Sequence, residues 1–228
     1  MKKYLILLCC FLFAMAIISI PEVHDFVFSS SLADGLCLAA PGFVPLKYAS
    51  GKNNMGGYKD HVLWIPADAV TAVPEKPDVV TANTDLVTAV GSFSFPVGGL
   101  SNPIYIRCTR GTVKYDAEAQ GEDDGVSFSP SGEFFYPGNE TEMHAFNSLV
   151  KNTPGYLVIE DTDGKQQLIG QPGLFCYIKP AFTGGQKRAD LRGTKYTFSA
   201  DSNETALFLA TPIDINSLAG LVVVNPAG

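Results

Sequence analysis

The sequence predicts a mainly β protein, either a two-sheet β-sandwich or a partly open barrel, flanked by one α-helix at about residues 139–152. Short runs that alternate between apolar and polar residues recur along the chain, as in strands with one wet face. Glycine (22) and proline (15) are plentiful and charged residues make up only 17%, which suits short strands joined by turns. Only one stretch has the period of an amphipathic helix.

The helix is predicted from its start signal and its apolar stripe. Asn139 stands at the position of an N-cap, and Glu142 follows three residues later, close to a capping box. An apolar stripe follows, formed by Met143, Phe146, Leu149 and Val150. Because the rest of the chain is rich in strands, this stripe is expected to lie on a sheet.

The alternation predicts about nine to eleven short strands. Turns are predicted at residues 121–125 (GEDDG), 129–132 (SPSG) and 161–164 (DTDG), and residues 67–88 read as a long loop or edge segment. Residues 156–160 are almost continuously apolar, which favours a central strand. The strands are predicted at residues 58–66, 92–96, 104–109, 112–119, 156–160, 165–170, 174–182, 194–200 and 205–211, with 221–224 as a last strand or a docked arm.

Three regions are predicted along the chain. Residues 1–20 resemble a signal peptide, with two lysines, an apolar run and a small-residue cleavage pattern. A short membrane anchor and a misassigned translation start are the alternatives for this leader. Residues 21–57 read as an extended arm and residues 58–228 as a single β-sandwich domain.

The charge balance argues against nucleic-acid binding. The chain has a formal charge of −7, and without residues 1–20 it keeps 14 basic and 23 acidic side chains, a charge of −9. Such a surface does not bind phosphate backbones through released counterions. It can line a passage through which an anionic polymer slides, because like charges repel.

The cysteines and histidines do not form a recognisable site. Cys9 and Cys10 lie in the leader, and the three others, Cys37, Cys108 and Cys176, have neither a disulfide nor a metal-ligand spacing. Buried free thiols and a reducing compartment are therefore expected. The histidines, His24, His61 and His144, are scattered, and a pair of Cys108 or Cys176 with His144 lacks any sign of thiolate activation.

The acidic turns and the basic loop have structural interpretations. Asp161, Asp163 and Gly164 resemble the opening of a calcium loop, but Pro172 stands where the twelfth-position glutamate belongs, so a type I′ turn is favoured. The acids Glu122, Asp123 and Asp124 read as a solvated hairpin tip rather than a divalent-cation site. A solvated loop or a contact with an acidic neighbour explains the basic cluster of Lys187, Arg188 and Arg192.

No catalytic motif is present, so the chain is not predicted to be an enzyme. It lacks a GxSxG elbow, an HExxH pair and a phosphate loop, and no catalytic, cofactor-binding or metal-binding residue is predicted. The glycosylation-type triplets at Asn139 and Asn203 are of a kind that often occurs by chance, and the first is already explained as a helix cap.

The order of the segments resembles one known family. It runs from the acidic hairpin (AEAQGEDDG) through SGEFFYPG and a capped helix to NTPGYLVIEDTDG and LIG, after an N-terminal CLAAPGFVPLKYASGKNNMGGYKDHV. This order is similar to tail tube proteins of long-tailed bacteriophages, in the forms found in phages and prophages of Bacteroidetes. The likeness covers about residues 36–215 and rests on turns and caps.

The resemblance implies a structural virion protein. It implies two packed sheets beside one helix, hexameric rings stacked into a tube that conducts DNA during infection, and contacts with other tail proteins. Inner sheets would join edge to edge into a continuous barrel, and successive rings would be bridged by the arm at residues 36–58 and by residues 116–125 or 67–88. Assembly in the bacterial cytoplasm needs no export and no membrane, so a functional leader would contradict this reading.

Two other functions stay open on the sequence. A real signal peptide would favour an exported β-sandwich of the cell surface that acts in binding or adhesion. A secreted hydrolase with an unrecognised site is the third possibility.

Overall fold

Two packed β-sheets and one α-helix make up the part of the chain that the computed structural model describes, residues 46, 55–95, 103–187 and 190–213 and the backbone of 222–224. The predicted leader and most of the predicted arm lie outside the described residues. The predicted mainly β fold with one flanking helix is confirmed, and it is a sandwich rather than a closed barrel.

Eleven strands follow one another in the described residues. Four precede the acidic hairpin tip: β1 (Tyr58–Pro66), β2 (Thr88–Ala89), β3 (Ile104–Arg107) and β4 (Lys114–Gln120). The next are β5 (Ser127–Pro137), β6 (Gly155–Asp161), β7 (Gln166–Ile169) and β8 (Tyr177–Thr183). The last are β9 (Gly193–Ser199), β10 (Leu207–Leu209) and β11 (Val222–Val224). Helix α1 (Thr141–Val150) follows β5.

The strands sort into a large and a small sheet. The seven-stranded sheet has the order β11-β3-β1-β6-β7-β10-β2, so β6 is its middle strand, as its apolar run predicts. The four-stranded sheet has the order β4-β5-β9-β8 and is antiparallel throughout. In the large sheet, β2 and β11 pair in parallel with β10 and β3, whereas the other neighbours are antiparallel.

The main core lies between the two sheets. Alternate residues of each strand point inward, so Val62 and Trp64 of the large sheet face the aromatic residues of the small one. The rings of Phe134 and Tyr196 stack with centroids 5.0 Å apart. Burial of each such large side chain contributes about 1.5–3 kcal/mol, so this layer is the main source of stability.

A second apolar cluster lies on the opposite, outer face of the large sheet. Its members include Leu63, Ile65 and Val158, each at most 5% exposed. Residues 67–95, here called the cover segment, lie over it; the Phe93 ring meets the ring of Tyr156 edge-on at 6.0 Å. The cover segment is mostly irregular, as predicted for residues 67–88, and it adds β2 to the edge of the sheet.

The helix was predicted in the right place, but its start and its stripe need correction. The N-cap is Glu140 rather than Asn139, and no side chain caps it. The Asn139 side-chain oxygen instead lies 2.9 Å from Nε2 of His144. Met143 and Val150 are buried as predicted, whereas Leu149 is 71% exposed.

The helix face toward the core also includes Asn147, a polar residue that is not part of the predicted apolar stripe. Asn147 accepts a hydrogen bond from the Tyr196 hydroxyl (2.5 Å) and donates one to the Thr194 hydroxyl (3.1 Å). Because these bonds satisfy the amide, a polar residue can occupy the inner face where the apolar pattern had favoured Leu149.

Three local predictions are wrong or need revision. Residues 129–132 form no turn and run through the middle of β5. Residues 92–96 form no strand where the structure describes them, although Phe93 and Phe95 share one face and stack at 6.4 Å. The turn at residues 161–164 is not type I′, because only Gly164 (φ +84°) has a positive φ; a type I turn with a glycine bulge fits.

Candidate functional site

The two cysteines that the structure describes are inert thiols. Cys176 is fully buried and Cys108 is 4% exposed, and both are free, as predicted. Burial raises the pKa of both thiols well above the ordinary range. A protonated, buried thiol is a poor nucleophile, so neither residue has the environment of a catalytic cysteine.

The histidines do not complete a thiol site. His144 is exposed, its ring meets the Phe182 ring edge-on at 4.8 Å, and its Nε2 contacts Asn139. His61 lies on the outer face of the large sheet, with Nε2 3.2 Å from Oε2 of Glu160. His24 and Cys37 lie outside the described residues.

The acidic turns are explained by backbone hydrogen bonds. The Asp161 carboxylate accepts from the N–H groups of Asp163 (2.7 Å) and Lys165 (3.2 Å), which closes the β6–β7 hairpin. At the β4–β5 turn the N–H of Gly125 donates to the carbonyl of Glu122 (3.0 Å). Within the described ranges, no group of three or more His, Cys, Asp or Glu side chains is placed to hold a metal ion.

The basic loop between β8 and β9 is organised around one aspartate. The Asp190 carboxylate accepts from the N–H groups of Gln186 (2.9 Å) and Lys187 (2.8 Å), and these bonds lower its pKa. Lys187 and Arg192 are exposed, and Arg188 lies outside the described residues. Both interpretations of this loop, solvated or in contact with an acidic neighbour, remain compatible with these positions.

Within the described residues the small sheet has an uncovered, mostly polar outer face, to which Phe135 and Tyr177 also point. Its four strands point inner residues such as Phe134 and Phe198 at the core and leave the alternate residues outside. Opposite charges pair on this face, with Lys114 at 2.5 Å from Asp116 and Lys195 at 2.7 Å from Glu133. The outward residues include Lys114, Asp116, Glu118, Ser129, Ser131, Glu133, Lys179, Lys195, Thr197 and Ser199. The three acidic and three basic residues among them give this set no net charge.

Both edges of the small sheet lack a strand partner within the described part of the chain. β4 pairs only with β5, and β8 pairs only with β9. Pro180 lies in the middle of β8, and because proline has no N–H its ring is expected to face away from β9. The neighbouring outward donors of this edge are then the N–H groups of Ile178 and Phe182.

A cavity of about 590 Å³ opens at the start of β4, beside β1 and β3. Arg107 and Arg110 line it, both exposed and neither in an ion pair with any residue that the structure describes. The two acids nearby are already engaged: Asp60 accepts from the N–H of Gly111 (3.0 Å), and Glu160 pairs with Lys59 (2.5 Å). This place is here called the arginine cavity. Asp60 also lines it and keeps its negative charge while accepting from a neutral N–H, so with Lys59 and Glu160 paired the cavity has an excess of one positive charge.

Sequence reasoning missed the arginine cavity. Arg107 and Arg110 lie only three residues apart, but the pairing of β1 with β3 brings them beside Lys59 and Asp60, which lie nearly fifty residues earlier. The acidic hairpin tip, by contrast, consists of the consecutive residues Glu122, Asp123 and Asp124 and was identified directly from the sequence.

None of the described helices is long and apolar enough to span a membrane. Comparison with known proteins adds no relative: no family model, no curated protein and no solved structure matches the chain.

Proposed function

We propose that the protein is a structural subunit of a long-tailed bacteriophage, a tail tube protein whose copies form stacked hexameric rings that conduct DNA. Its place is then the virion, with assembly in the bacterial cytoplasm, and its partners are further copies and other tail proteins. The resemblance in segment order described above is one support. The observation that carries the proposal is the small sheet, which, within the part of the chain that the structure describes, is uncovered on one face and unpaired at both edges.

Open edges are the physical reason for expecting self-association. A strand at the edge of a sheet carries a row of unpaired N–H and C=O groups that favour pairing with another strand. Here β4 and β8 end the same sheet on opposite sides, so β4 of one copy can pair with β8 of the next. Such a head-to-tail contact closes into a ring when the rotation between copies is an integral fraction of a turn.

The outer face of the small sheet would then line the lumen. Its ion pairs balance charge locally, and serines and threonines fill much of the remaining surface. This face has no excess of lysine or arginine, so it provides no array of cations to hold DNA phosphates. The repulsion expected from the acidic composition would come from outside this sheet, because the face itself is neutral.

The direct test is electron microscopy of the purified full chain, with and without residues 1–20. We expect stacked rings, whereas monomers under all conditions would contradict the proposal. N-terminal sequencing of native material adds a second test, since a processed leader would favour export to the cell surface.

The β8 edge allows a sharper test with a matched control. Phe182→Pro removes an outward N–H from this edge, whereas Phe182→Ala removes the same ring and keeps the donor. Ring formation should be lost in F182P and retained in F182A, with circular dichroism showing that both variants are folded. Equal assembly of the two variants would rule out pairing at this edge.

A further inference from the structure

The four strands of the small sheet place six charged residues on its outer face, and two ion pairs use four of them. The other two are Glu118 on β4 and Lys179 on β8. Both are exposed, and neither forms an ion pair with any residue that the structure describes. One unpaired acid therefore lies at one edge of this sheet, and one unpaired base lies at the opposite edge.

The backbone of β4 directs every second residue away from the sheet. On β5, the carbonyl of Phe135 accepts from the N–H of Thr109 (2.8 Å) and its N–H donates to the Thr112 hydroxyl (3.3 Å), so the odd-numbered residues of β5 bond towards the β4 side. Their partners on β4 are its even-numbered residues. In an antiparallel pair, the N–H and C=O of one residue point to the same side. The residues of β4 that direct both groups outward are therefore Tyr115, Ala117 and Ala119.

The backbone of β8 alternates in the same way at the other edge. The even-numbered residues of β5 bond towards β9, as in the bond from the N–H of Ala200 to the carbonyl of Pro130 (2.9 Å). The odd-numbered residues of β9 therefore bond to β8, which leaves the even-numbered residues of β8 directed outward. These are Ile178, Pro180 and Phe182, of which Pro180 offers only its carbonyl.

Full overlap of the two edges defines one register. β4 and β8 each have seven residues, and antiparallel pairing over their whole length sets residue 114 against 183 and residue 120 against 177. In this register the outward-bonding residues of both edges face each other, and the inner side chains stay on the core side. Glu118 then lies directly opposite Lys179 on the outer face. The strands exchange no hydrogen bonds at this position, so the two Cα atoms approach to about 4.5 Å.

Slipped registers lose both overlap and charge pairing. A shift of one residue would turn the inner side chains outward, so the alternative registers differ by two residues. One such slip leaves five of the seven positions paired and sets Lys179 opposite Asp116, which Lys114 already binds in its own copy. The opposite slip also leaves five positions paired and sets Lys179 opposite the uncharged Gln120.

The register with full overlap also gives the strand tilt of a closed barrel. Within one copy, Lys114 and Lys179 lie on one row, joined by Glu133 and Thr197. Pairing Lys179 with Glu118 of the next copy offsets the copies by four residues for every four strands. At about 3.3 Å per residue and about 4.8 Å per strand, the strands tilt by about 35°, as in closed barrels. A stagger of two residues gives about 20° and one of six about 45°, so the tilt disfavours the first slip and the charges disfavour the second.

We propose that Glu118 of one copy forms an ion pair with Lys179 of the next copy, and that this pair fixes the register in which β4 and β8 join. This inference rests on the proposed function: pairing of the edges closes the ring, and the ion pair selects the register in which it closes. All six charged residues of the outer face are then paired. An exposed pair between strands contributes little affinity, so its main effect is on the choice of register.

Cysteine cross-linking in the full chain measures the register directly. E118C and K179C are introduced together into a chain that carries C9S, C10S and C37S, so the other remaining thiols are the two buried ones. Directly opposite positions lie within the Cα range of a disulfide, about 4.4–6.8 Å. Mild oxidation of assembled rings should therefore join most chains into covalent hexamers on a gel without reductant.

Two matched cysteine pairs report the slipped registers. D116C with K179C, and E118C with A181C, lie on the diagonal in the proposed register, about 7–8 Å apart and beyond the reach of a disulfide. Each pair should form covalent hexamers at least about tenfold more slowly than the E118C and K179C pair.

Charge reversal tests whether the ion pair selects the register. E118K or K179E alone sets like charges opposite each other, which should raise the concentration needed for half assembly about fivefold or more. E118K and K179E together restore opposite charges and should assemble within about twofold of the original chain. K151E, which reverses an exposed lysine at the end of α1, is the control and should assemble like the original. Circular dichroism shows whether each variant is folded.

The outcomes separate this inference from the proposed function. Rings that cross-link fastest through E118C and K179C, with assembly restored by the double charge reversal, support both. Rings that cross-link fastest through a control pair or through none, or that assemble equally well with either single reversal, overturn the inference and leave the proposed function intact. A chain that forms no rings by electron microscopy overturns the proposed function and this inference with it.

Discussion

The two sheets of the sandwich differ in what lies on their outer faces. The large sheet is buried on both sides, so five consecutive residues of β6, from Gly155 to Ile159, are inaccessible. Among the described residues, the small sheet is buried on one side only, and β9 alternates between buried and exposed residues along most of its length. The same chain thus contains a sheet that is largely buried on both faces and an amphipathic one.

Because of this difference, we expect the large sheet to determine the stability of the fold and the small sheet to determine interactions between copies. Apolar residues on both faces of the large sheet contribute to two clusters, the inter-sheet core and the layer under the cover segment. The outer face and the edges of the small sheet contribute little burial in a single copy. Substitutions in the two sheets should therefore affect different measurements, folding for the large sheet and assembly for the small one.

The largest expected effect comes from matched truncations on the two outer faces. Leu63→Ala opens a cavity beneath the cover segment and should lower the free energy of unfolding by about 2–5 kcal/mol. Thr197→Ala, on the outer face of the small sheet, should change it by less than about 1 kcal/mol. Urea unfolding followed by circular dichroism measures both. Similar losses for the two variants would show that the small sheet is covered in the monomer.

A smaller effect is expected where the two sheets are tied together. The Tyr115 hydroxyl of β4 donates to the carbonyl of Thr205 (2.6 Å), just before β10 of the large sheet. Tyr115→Phe removes this bond and should cost about 1 kcal/mol at pH 7. Tyr177→Phe, at an exposed position of β8, is the control and should have almost no effect.

The same tyrosine makes part of the stability dependent on alkaline pH. Burial raises the pKa of Tyr115 to about 12, and an unfolded tyrosine titrates near about 10. The folded state favours the neutral phenol, so this contribution is complete below about pH 10 and is lost as the pH rises towards 12. Between these values Y115F should lose less stability than the original chain. An unchanged pH profile would contradict the assignment of this titration to Tyr115.

The smallest expected effect distinguishes the ion pairs of the two faces. Glu133 pairs with Lys195 on the bare face and its side chain is 42% exposed, so Glu133→Gln should cost at most about 0.5 kcal/mol. Glu160, at 15% exposure, contacts both Lys59 and His61 at the outer face of the large sheet. Glu160→Gln should therefore destabilise more than E133Q. The reverse order, measured by thermal unfolding at low salt, would contradict this difference.

Local patterns predicted the strands well where burial follows a simple period. β1 has the predicted bounds, and the apolar run of β6 correctly indicated a central strand. Failures occurred where a distant partner changes the meaning of a residue. Gly132 reads as a turn former, yet in β5 it is required because a Cβ would lie 2.0 Å from the Lys114 carbonyl oxygen and 2.5 Å from the Phe198 ring.

The candidate sites also fall into those that local sequence predicts and those that depend on distant partners. The inert thiols and the acidic hairpin tip were predicted, because each depends on residues that are adjacent in the sequence or lie within one strand. The arginine cavity and the two open edges of the small sheet depend on which strands pair, and short-range periodicity carries no information on pairing partners.

The sequence by itself determined the fold class, the position of the single helix and the acidic turn, since hydrophobic period and turn chemistry act over a few residues. Only the tertiary structure decided that one sheet is covered on both faces and the other, among the described residues, on one, and that Arg107 and Arg110 lie beside Lys59 and Asp60 of β1. The physical reason is that burial and charge complementarity are properties of surfaces, and a surface is assembled from segments far apart in the chain.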